Sequence, residues 1–211
     1  MPETPNLEKC MEILKKIGIK TASYTTIKNE KEIRKKIRKI KFPAVLKVIS
    51  KQVTHKTEIG GVILGIKNQE ELSKAVMDLR KKLTNKVRIE KFMVQEYVEG
   101  FETIIGIKKD EIFGQVVVFG IGGKFTELFK DISIRVCPID YDEAMEMIKE
   151  IKGYSLLKGF RGSGANLNEI ANTISKISKF AIRKNVLEMD INPFIVNEKE
   201  GKAVDARILF K

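Results

Sequence analysis

The feature that most restricts this chain is a set of strand-like apolar runs whose connections are too short to cross over a sheet. Residues 101–108 and 113–119 are joined around Asp110, and residues 186–196 and 202–209 around Asn197-Glu198-Lys199-Glu200-Gly201. Parallel neighbours need a connection of about a dozen residues or more, so both pairs are expected as antiparallel hairpins. Other segments carry a helical period. Leu7, Cys10, Met11, Leu14 and Ile17 mark an amphipathic helix closed by Gly18. Asn29 is placed to cap a basic helix running to about Lys39. Asn68-Gln69-Glu70-Glu71 opens a helix to about Leu83, and residues 142–151 and 167–184 are helical by period. Residues 21–24, 44–49, 61–67 and 92–98 read as further strands. Hairpins mixed with helices predict an α+β chain, not a doubly wound one. The expected lobes are 1–92, including the first helix, and 93–211.

The bulk numbers narrow the class. A chain of 211 residues can form one large domain or two small lobes. No apolar run reaches about 18 residues, so no transmembrane helix is expected. Met1-Pro2-Glu3-Thr4 lacks the layout of a secretory signal, and cytoplasm is the expected location. Cys10 and Cys137 have no second Cys or His at metal-ligand spacing, which argues against zinc and for buried free thiols. The net charge is +12, from 40 Lys+Arg against 28 Asp+Glu. These charges are interspersed through periodic segments. In the densest stretch, KEIRKKIRKIK, Ile33, Ile37 and Ile40 recur at helical spacing, so most of its lysines should face solvent. Abundant Lys, Ile and Glu without Trp resembles proteins from hot environments. The aromatics lie mostly inside strand patterns, which argues against a nucleic-acid partner.

Several residues could carry chemistry. Lys47 interrupts the apolar run Ala44–Ile49 and must reach a partner, such as phosphate oxygens, or snorkel from a sheet edge. His55 is the sole histidine and lies in a polar segment between two strands. It could be a base, a phosphorylated nucleophile or a solvated loop side chain. Gly120-Ile121-Gly122-Gly123 follows a strand and could bring backbone N–H groups to phosphates, although it fits no familiar nucleotide motif. Glu188, Asp190 and Asn192 alternate along one strand and so share a face. If the last two strands pair around 197–201, hairpin register brings Asn192 near Asp205. An amide and a carboxylate oxygen suit Mg²⁺, while an ordinary polar sheet face is the alternative. Arg135 and Arg161 are candidate anion ligands, or surface arginines.

Taken together, FPAVLKVISKQVTHKTEIGGVILGI, MVQEYVEGFETIIG, FGQVVVFGIGGKFTELFKDISIRVCPI, KGYSLLKGFRG and LEMDINPFIV followed by AVDARI resemble the ATP-grasp subunit of ADP-forming acyl-CoA (acetyl-CoA) synthetases, within the succinyl-CoA synthetase-like superfamily. The likeness runs over nearly the whole chain, in the family's order. It implies a two-lobed ATP-grasp fold, each lobe with a mainly antiparallel sheet, and ATP or ADP bound between the lobes. Lys47 would contact the phosphates. Glu96, Tyr97 and Val98 would form the hinge that reads adenine through backbone groups and the Glu96 carboxylate. Glu102 would meet the ribose, and Gly122 and Gly123 belong to the glycine turn. Asn192 and Asp205 match Mg²⁺ ligands. Asp190 and Glu127 match acidic positions near an incoming phosphohistidine, with Arg135 a further catalytic candidate. His55 matches a loop histidine proposed as a second phosphate carrier. The resemblance also implies a separate CoA-binding alpha subunit in an α2β2 assembly. Another ATP-grasp carboxylate ligase is the alternative.

Overall fold

The computed structural model describes residues 4–50, 59–123, 131–159 and 162–211, apart from the side chain of Lys39. Two compact units emerge: Ala22–Tyr97, and Met1–Thr21 together with Val98–Lys211.

The Ala22–Tyr97 unit holds β1 (Tyr24–Ile27), β2 (Ala44–Ile49), β3 (Val62–Ile66) and β4 (Lys91–Glu96). They form an antiparallel sheet in the order β1-β4-β2-β3. β2 is β-branched-rich and wholly buried, as a central strand should be. Its Ala44, Leu46 and Val48 join Phe92 and Val94 of β4 in one core. A helix, Gln69–Leu83, covers that face. The Asn68 side chain accepts the Glu71 N–H at 2.9 Å and the Glu71 carboxylate accepts the Lys67 N–H at 2.8 Å, a reciprocal cap. Leu72, Val76, Leu79 and Leu83 recur on one side of this helix and are buried in the same core. Each such side chain contributes about 1.5–3 kcal/mol on leaving water.

Two local expectations change here. The basic segment is not one helix: a single α-turn, Ile33–Lys36, is flanked by 3-10 turns at Glu30–Glu32 and Ile37–Lys39. Ile33, Ile37 and Ile40 are buried as expected, but like charges four apart, such as Arg34 and Arg38, oppose a regular helix. The first strand lies at Tyr24–Ile27, not 21–24. Ser23 exchanges bonds with Glu96, through its carbonyl to the Glu96 N–H at 2.9 Å and its N–H to Glu96 Oε1 at 2.8 Å, which sets the register.

The other unit begins with α1 (Leu7–Lys16), capped by Asn6 and burying Leu7, Cys10, Met11 and Leu14. A six-stranded sheet follows, from β5 (Phe101–Asp110), β6 (Gly114–Ile121), β7 (Ile132–Val136), β8 (Val186–Val196), β9 (Gly201–Ala203) and β10 (Arg207–Phe210). The order is β10-β8-β5-β6-β7, with β9 also paired to β8. Asp110 makes the β5–β6 turn by accepting the N–H groups of Ile112 and Phe113 at 2.8 and 2.9 Å. The three main helices cover one face or end of the sheet: α1, a helix at Tyr141–Glu150, and the long Leu167–Lys184, which Asn185 ends in the left-handed conformation. Ile105, Ile107, Val117, Phe119, Met189, Ile191 and Ile208 are buried on the covered face.

The boundary expected after residue 92 is corrected. It would cut β4, which pairs with both β1 and β2. The first helix belongs with the larger sheet, because Thr21 bridges Ala203, the Ala203 N–H donates to Lys20 O at 2.9 Å, and Lys20 pairs with Glu169 at 2.8 Å. No helix among the described residues is long and apolar enough to cross a membrane.

Candidate functional site

Lys47 lies on β2 between β4 and β3, opposite Met93 and Val62, and is 5% exposed. An edge position for snorkelling is therefore ruled out. Alternation puts it on the face opposite Leu46 and Val48, together with Gln95, whose partner in the ladder is Val45. Gln95 is fully buried and escaped the sequence reading; its signal was an amide ending the apolar run Phe92-Met93-Val94.

The strand then leads into residues 96–98. One oxygen of the Glu96 carboxylate is held by the Ser23 N–H, and the Tyr97 N–H donates to Pro43 O at 3.2 Å. The Tyr97 side chain is exposed and Val98 half-buried. The division between the two compact units falls between Tyr97 and Val98.

Glu102, Gly122 and Gly123 come together. The Gly122 N–H donates to Glu102 O at 2.7 Å, and a Cβ on Gly122 would lie 3.0 Å from the Glu102 carbonyl carbon. Gly123 has φ +74°, and a Cβ there would lie 3.3 Å from Glu102 Oε2. Both positions thus need glycine, one for close approach and one for its backbone conformation. Behind this turn, the Asp131 carboxylate accepts the N–H groups of Lys152 and Gly153, each at 2.7 Å. It clamps the start of β7 to the segment after the Tyr141–Glu150 helix.

The pair expected to hold a metal, Asn192 and Asp205, has a well-defined register. β9 pairs Phe194 with Ala203, and β10 pairs Asp190 with Arg207. The register is the same on both sides of the gap at 204–206, so Asn192 falls opposite Asp205. A bond from the Val204 N–H to Pro193 O at 3.1 Å keeps the gap closed. The sequence reading expected one strand over 202–209; the ladder instead opens at Asp205, whose Oδ1 accepts the Ala206 N–H at 2.9 Å. Asn192 is exposed and Asp205 partly so. Two hard oxygen donors that can reach solvent fit Mg²⁺, which keeps several waters and takes phosphate oxygens as further ligands. No cluster of three His, Cys, Asp or Glu suited to a metal exists among the described residues, so an all-protein cage is not what this geometry offers.

Asp190 and Glu188 share the Asn192 face, which the helices among the described residues leave uncovered. Gly106 stands opposite Asp190 on β5, so no side chain crowds the carboxylate from that side. On the other side stands Arg207, with Nη1 3.4 Å from Glu188 Oε1 and a buried Nε that has no hydrogen-bond partner among the described residues. Arg207 also escaped the sequence reading, though its position two residues after Asp205 placed it on the same face.

Arg135 is a correction. It lies opposite Val117, on the helix-covered face of the sheet, while Asp190 is on the uncovered one. Its guanidinium is held by Glu150 and Glu143 of the Tyr141–Glu150 helix and by Ser133. Those two carboxylates raise the Arg135 pKa, and Arg135, with Ser133, lowers that of Glu150. Such a residue fastens a helix to β7 and is not presented to a phosphoryl group at Asp190. His55, Glu127 and Arg161 lie outside the described residues.

Comparison with known proteins bears on the family and the fold. The ATP-grasp domain family model matches residues 4–210. The beta subunit of acetate--CoA ligase [ADP-forming] I from Pyrococcus furiosus is 39% identical over 204 residues, covering 94% of this chain and 88% of that protein. Acetate--CoA ligase [ADP-forming] II of Archaeoglobus fulgidus is 36% identical over 198 residues, 93% of this chain. The chain spans only 29% of that longer relative. Among solved structures, the dinucleotide forming acetyl-coenzyme A synthetase 1 of Ca. Korarchaeum cryptofilum superposes with a TM-score of 0.92 at 36% identity, over 99% of this chain and 94% of that chain. A second structure of that enzyme, with coenzyme A and Mg-AMPPCP, has its phosphohistidine segment pointing towards the nucleotide binding site; its TM-score is 0.85 at 34% identity, over 99% of this chain and 93% of that one. The chain belongs to the ATP-grasp domain family and is related over nearly its whole length to the beta subunit of an ADP-forming acetate–CoA ligase.

Proposed function

We propose that this chain is the nucleotide-binding subunit of an ADP-forming acid–CoA ligase. It would move a phosphoryl group between ADP/ATP and a histidine of a CoA-binding partner, within the reversible reaction acyl-CoA + ADP + phosphate = acid + CoA + ATP. The observation that carries this reading is the Asn192–Asp205 register with Asp190 on the same open face, in a chain so similar to a beta subunit.

The roles follow from the chemistry. In phosphoryl transfer the charge spreads over equatorial oxygens, so positioning and cations dominate. Asn192 and Asp205 would hold Mg²⁺, which when bound would neutralise charge on the nucleotide phosphates. Lys47 supplies a fixed cation from a rigid central strand. The main chain at 96–98 reads the adenine edge, and Glu102, braced by Gly122 and Gly123, meets the ribose hydroxyls. Asp190 accepts an N–H of the incoming imidazole, so that its other nitrogen faces phosphorus; the N–P bond forms as the bond to the ADP oxygen breaks. A neutral imidazole is competent because its ordinary pKa is about 6.5. Glu127 assists at the same acidic locus, and His55 serves as a second carrier. The partner is a CoA-binding alpha subunit in an α2β2 assembly, working in the cytoplasm.

The test uses ATP labelled on the γ-phosphate, magnesium and the partner subunit. Label should appear on the partner's histidine only when this chain is present. Complete acyl-CoA synthesis by this chain alone would contradict the reading and favour a self-contained ATP-grasp ligase. A His55→Asn variant that passes label to the partner at the wild-type rate would remove the relay role.

A further inference from the structure

The interspersed positive charge of the sequence does not stay dispersed in the fold. Lys16 of α1 and Lys176, Lys179, Arg183 and Lys184 of the Leu167–Lys184 helix converge on one groove of about 750 Å³, floored by Phe180. Its lining contains no acidic residue among the described residues. The Leu167–Lys184 helix packs on the covered face of the six-stranded sheet, so the groove is on the opposite side of that sheet from Asp190 and Asn192.

Local structure accounts for only part of this clustering. Lys16, Arg183 and Lys184 sit in the last turns of their helices, where cations favour the dipole. Lys176 donates to Gly18 O at 2.7 Å, completing the C-terminus of α1. Lys179 has neither reason. It stands three residues after Lys176 and four before Arg183, and like charges at those spacings oppose the helix. A concave site with five cations and no carboxylate is stabilised by an anion with several charges. Its volume is in the range of small-molecule sites, about 300–1,000 Å³, and exceeds the needs of one phosphate. The one aromatic in the lining is Phe180, 6% exposed and packed edge-on against Phe210 at 6.4 Å. It therefore offers no stacking platform of the kind that single-stranded nucleic acids use.

We propose that this groove is a binding site for a small molecule carrying two or more linked phosphates, separate from the nucleotide site. The site is specified by charge and concavity, so its affinity falls with salt. It can be probed on the full chain by calorimetric titration with inorganic tripolyphosphate, at fixed ionic strength and with EDTA present. Saturable binding is expected. It should weaken about tenfold or more in Lys179→Glu/Arg183→Glu, fall by less in Lys179→Gln/Arg183→Gln, and survive in Lys47→Met. The glutamine pair keeps the charge argument testable should the glutamate pair misfold. Four results would overturn the proposal: no saturable binding; equal binding by the wild type and the charge variants; loss in Lys47→Met alone, which assigns the probe to the nucleotide site; or displacement by a single-stranded oligonucleotide that binds far more tightly, which assigns the groove to an extended polyanion. None of these bears on the phosphoryl-transfer reading, which is tested with magnesium, ATP and the partner.

Discussion

The two faces of the six-stranded sheet are built from alternate residues of the same strands, yet they treat polar groups in opposite ways. On the covered face the polar side chains close on one another. Arg135 holds Glu143 and Glu150, Ser133 donates to Glu150 at 2.8 Å, and Gln115 donates to Asn185 Oδ1 at 3.2 Å and Val186 O at 3.4 Å. On the uncovered face Glu188, Asp190, Asn192, Asp205 and Arg207 sit half-exposed or exposed along β8 and the broken β9–β10 edge. Beside them Ile132, Ile134 and Val136 of β7 are 43–50% exposed. Among the described residues, this face keeps its carboxylates accessible and no helix packs over its isoleucines. Polar residues in a sheet are thus read by their face and their partners, not by their type.

The difference can be broken by substitution, and the largest effect should come from the open face. Asp190→Asn should slow transfer to the partner's histidine about 10²-fold or more with nucleotide affinity unchanged, measured as single-turnover labelling. Equal losses in binding and transfer would mean that Asp190 belongs to nucleotide binding instead. Lys47→Met should weaken nucleotide binding about 10–100-fold, the size of a lost charge-assisted hydrogen bond. The melting temperature of the same variant is the control for a purely structural role. A large drop in melting temperature would make Lys47 a structural residue. Arg135→Met should do the reverse of Asp190→Asn. It should cost about 1 kcal/mol, or about 2–4 °C for a chain of this size, and leave transfer intact.

The smallest effect is acid lability. Arg135 and Ser133 lower the Glu150 pKa from its ordinary value of 4.5. The stability this gives is fully present above pH 4.5 and is lost as the pH falls through the lowered value in the folded state. Glu150→Gln should therefore flatten the fall of melting temperature below that pH. An unchanged acid limb would show that the Arg135 pair contributes nothing in solution.

Much of the fold was legible because hairpin lengths and helical periods are local. The helix at 167–184, the strand at 186–196 and the turn at Asp110 all stand where the sequence put them. Misplaced features depended on distant partners. β1 is shifted because Glu96 holds Ser23, and the first helix joins the larger unit because Thr21 and Lys20 meet Ala203. The site shows the same limit. Alternation along β8 and hairpin register sufficed to put Asp190 and Asn192 on one face with Asp205 opposite Asn192. Arg135 was misread because the sequence could not say which face of β7 a helix covers. Arg207 and Gln95 were missed because each looks ordinary until its strand neighbours are known. The cationic groove was invisible for the same reason, since Lys16 and Lys179 are brought together only by the fold.

The central claim is that Asn192 and Asp205 hold the metal of a bound nucleotide. Calorimetric titration of this chain with ADP, in magnesium and in EDTA, tests it most directly. Wild-type affinity should rise at least about tenfold with magnesium, and Asp205→Asn should bind as the wild type does in EDTA and gain little from the metal. Equal wild-type affinity in the two buffers, or an undiminished magnesium effect in Asp205→Asn, would contradict it.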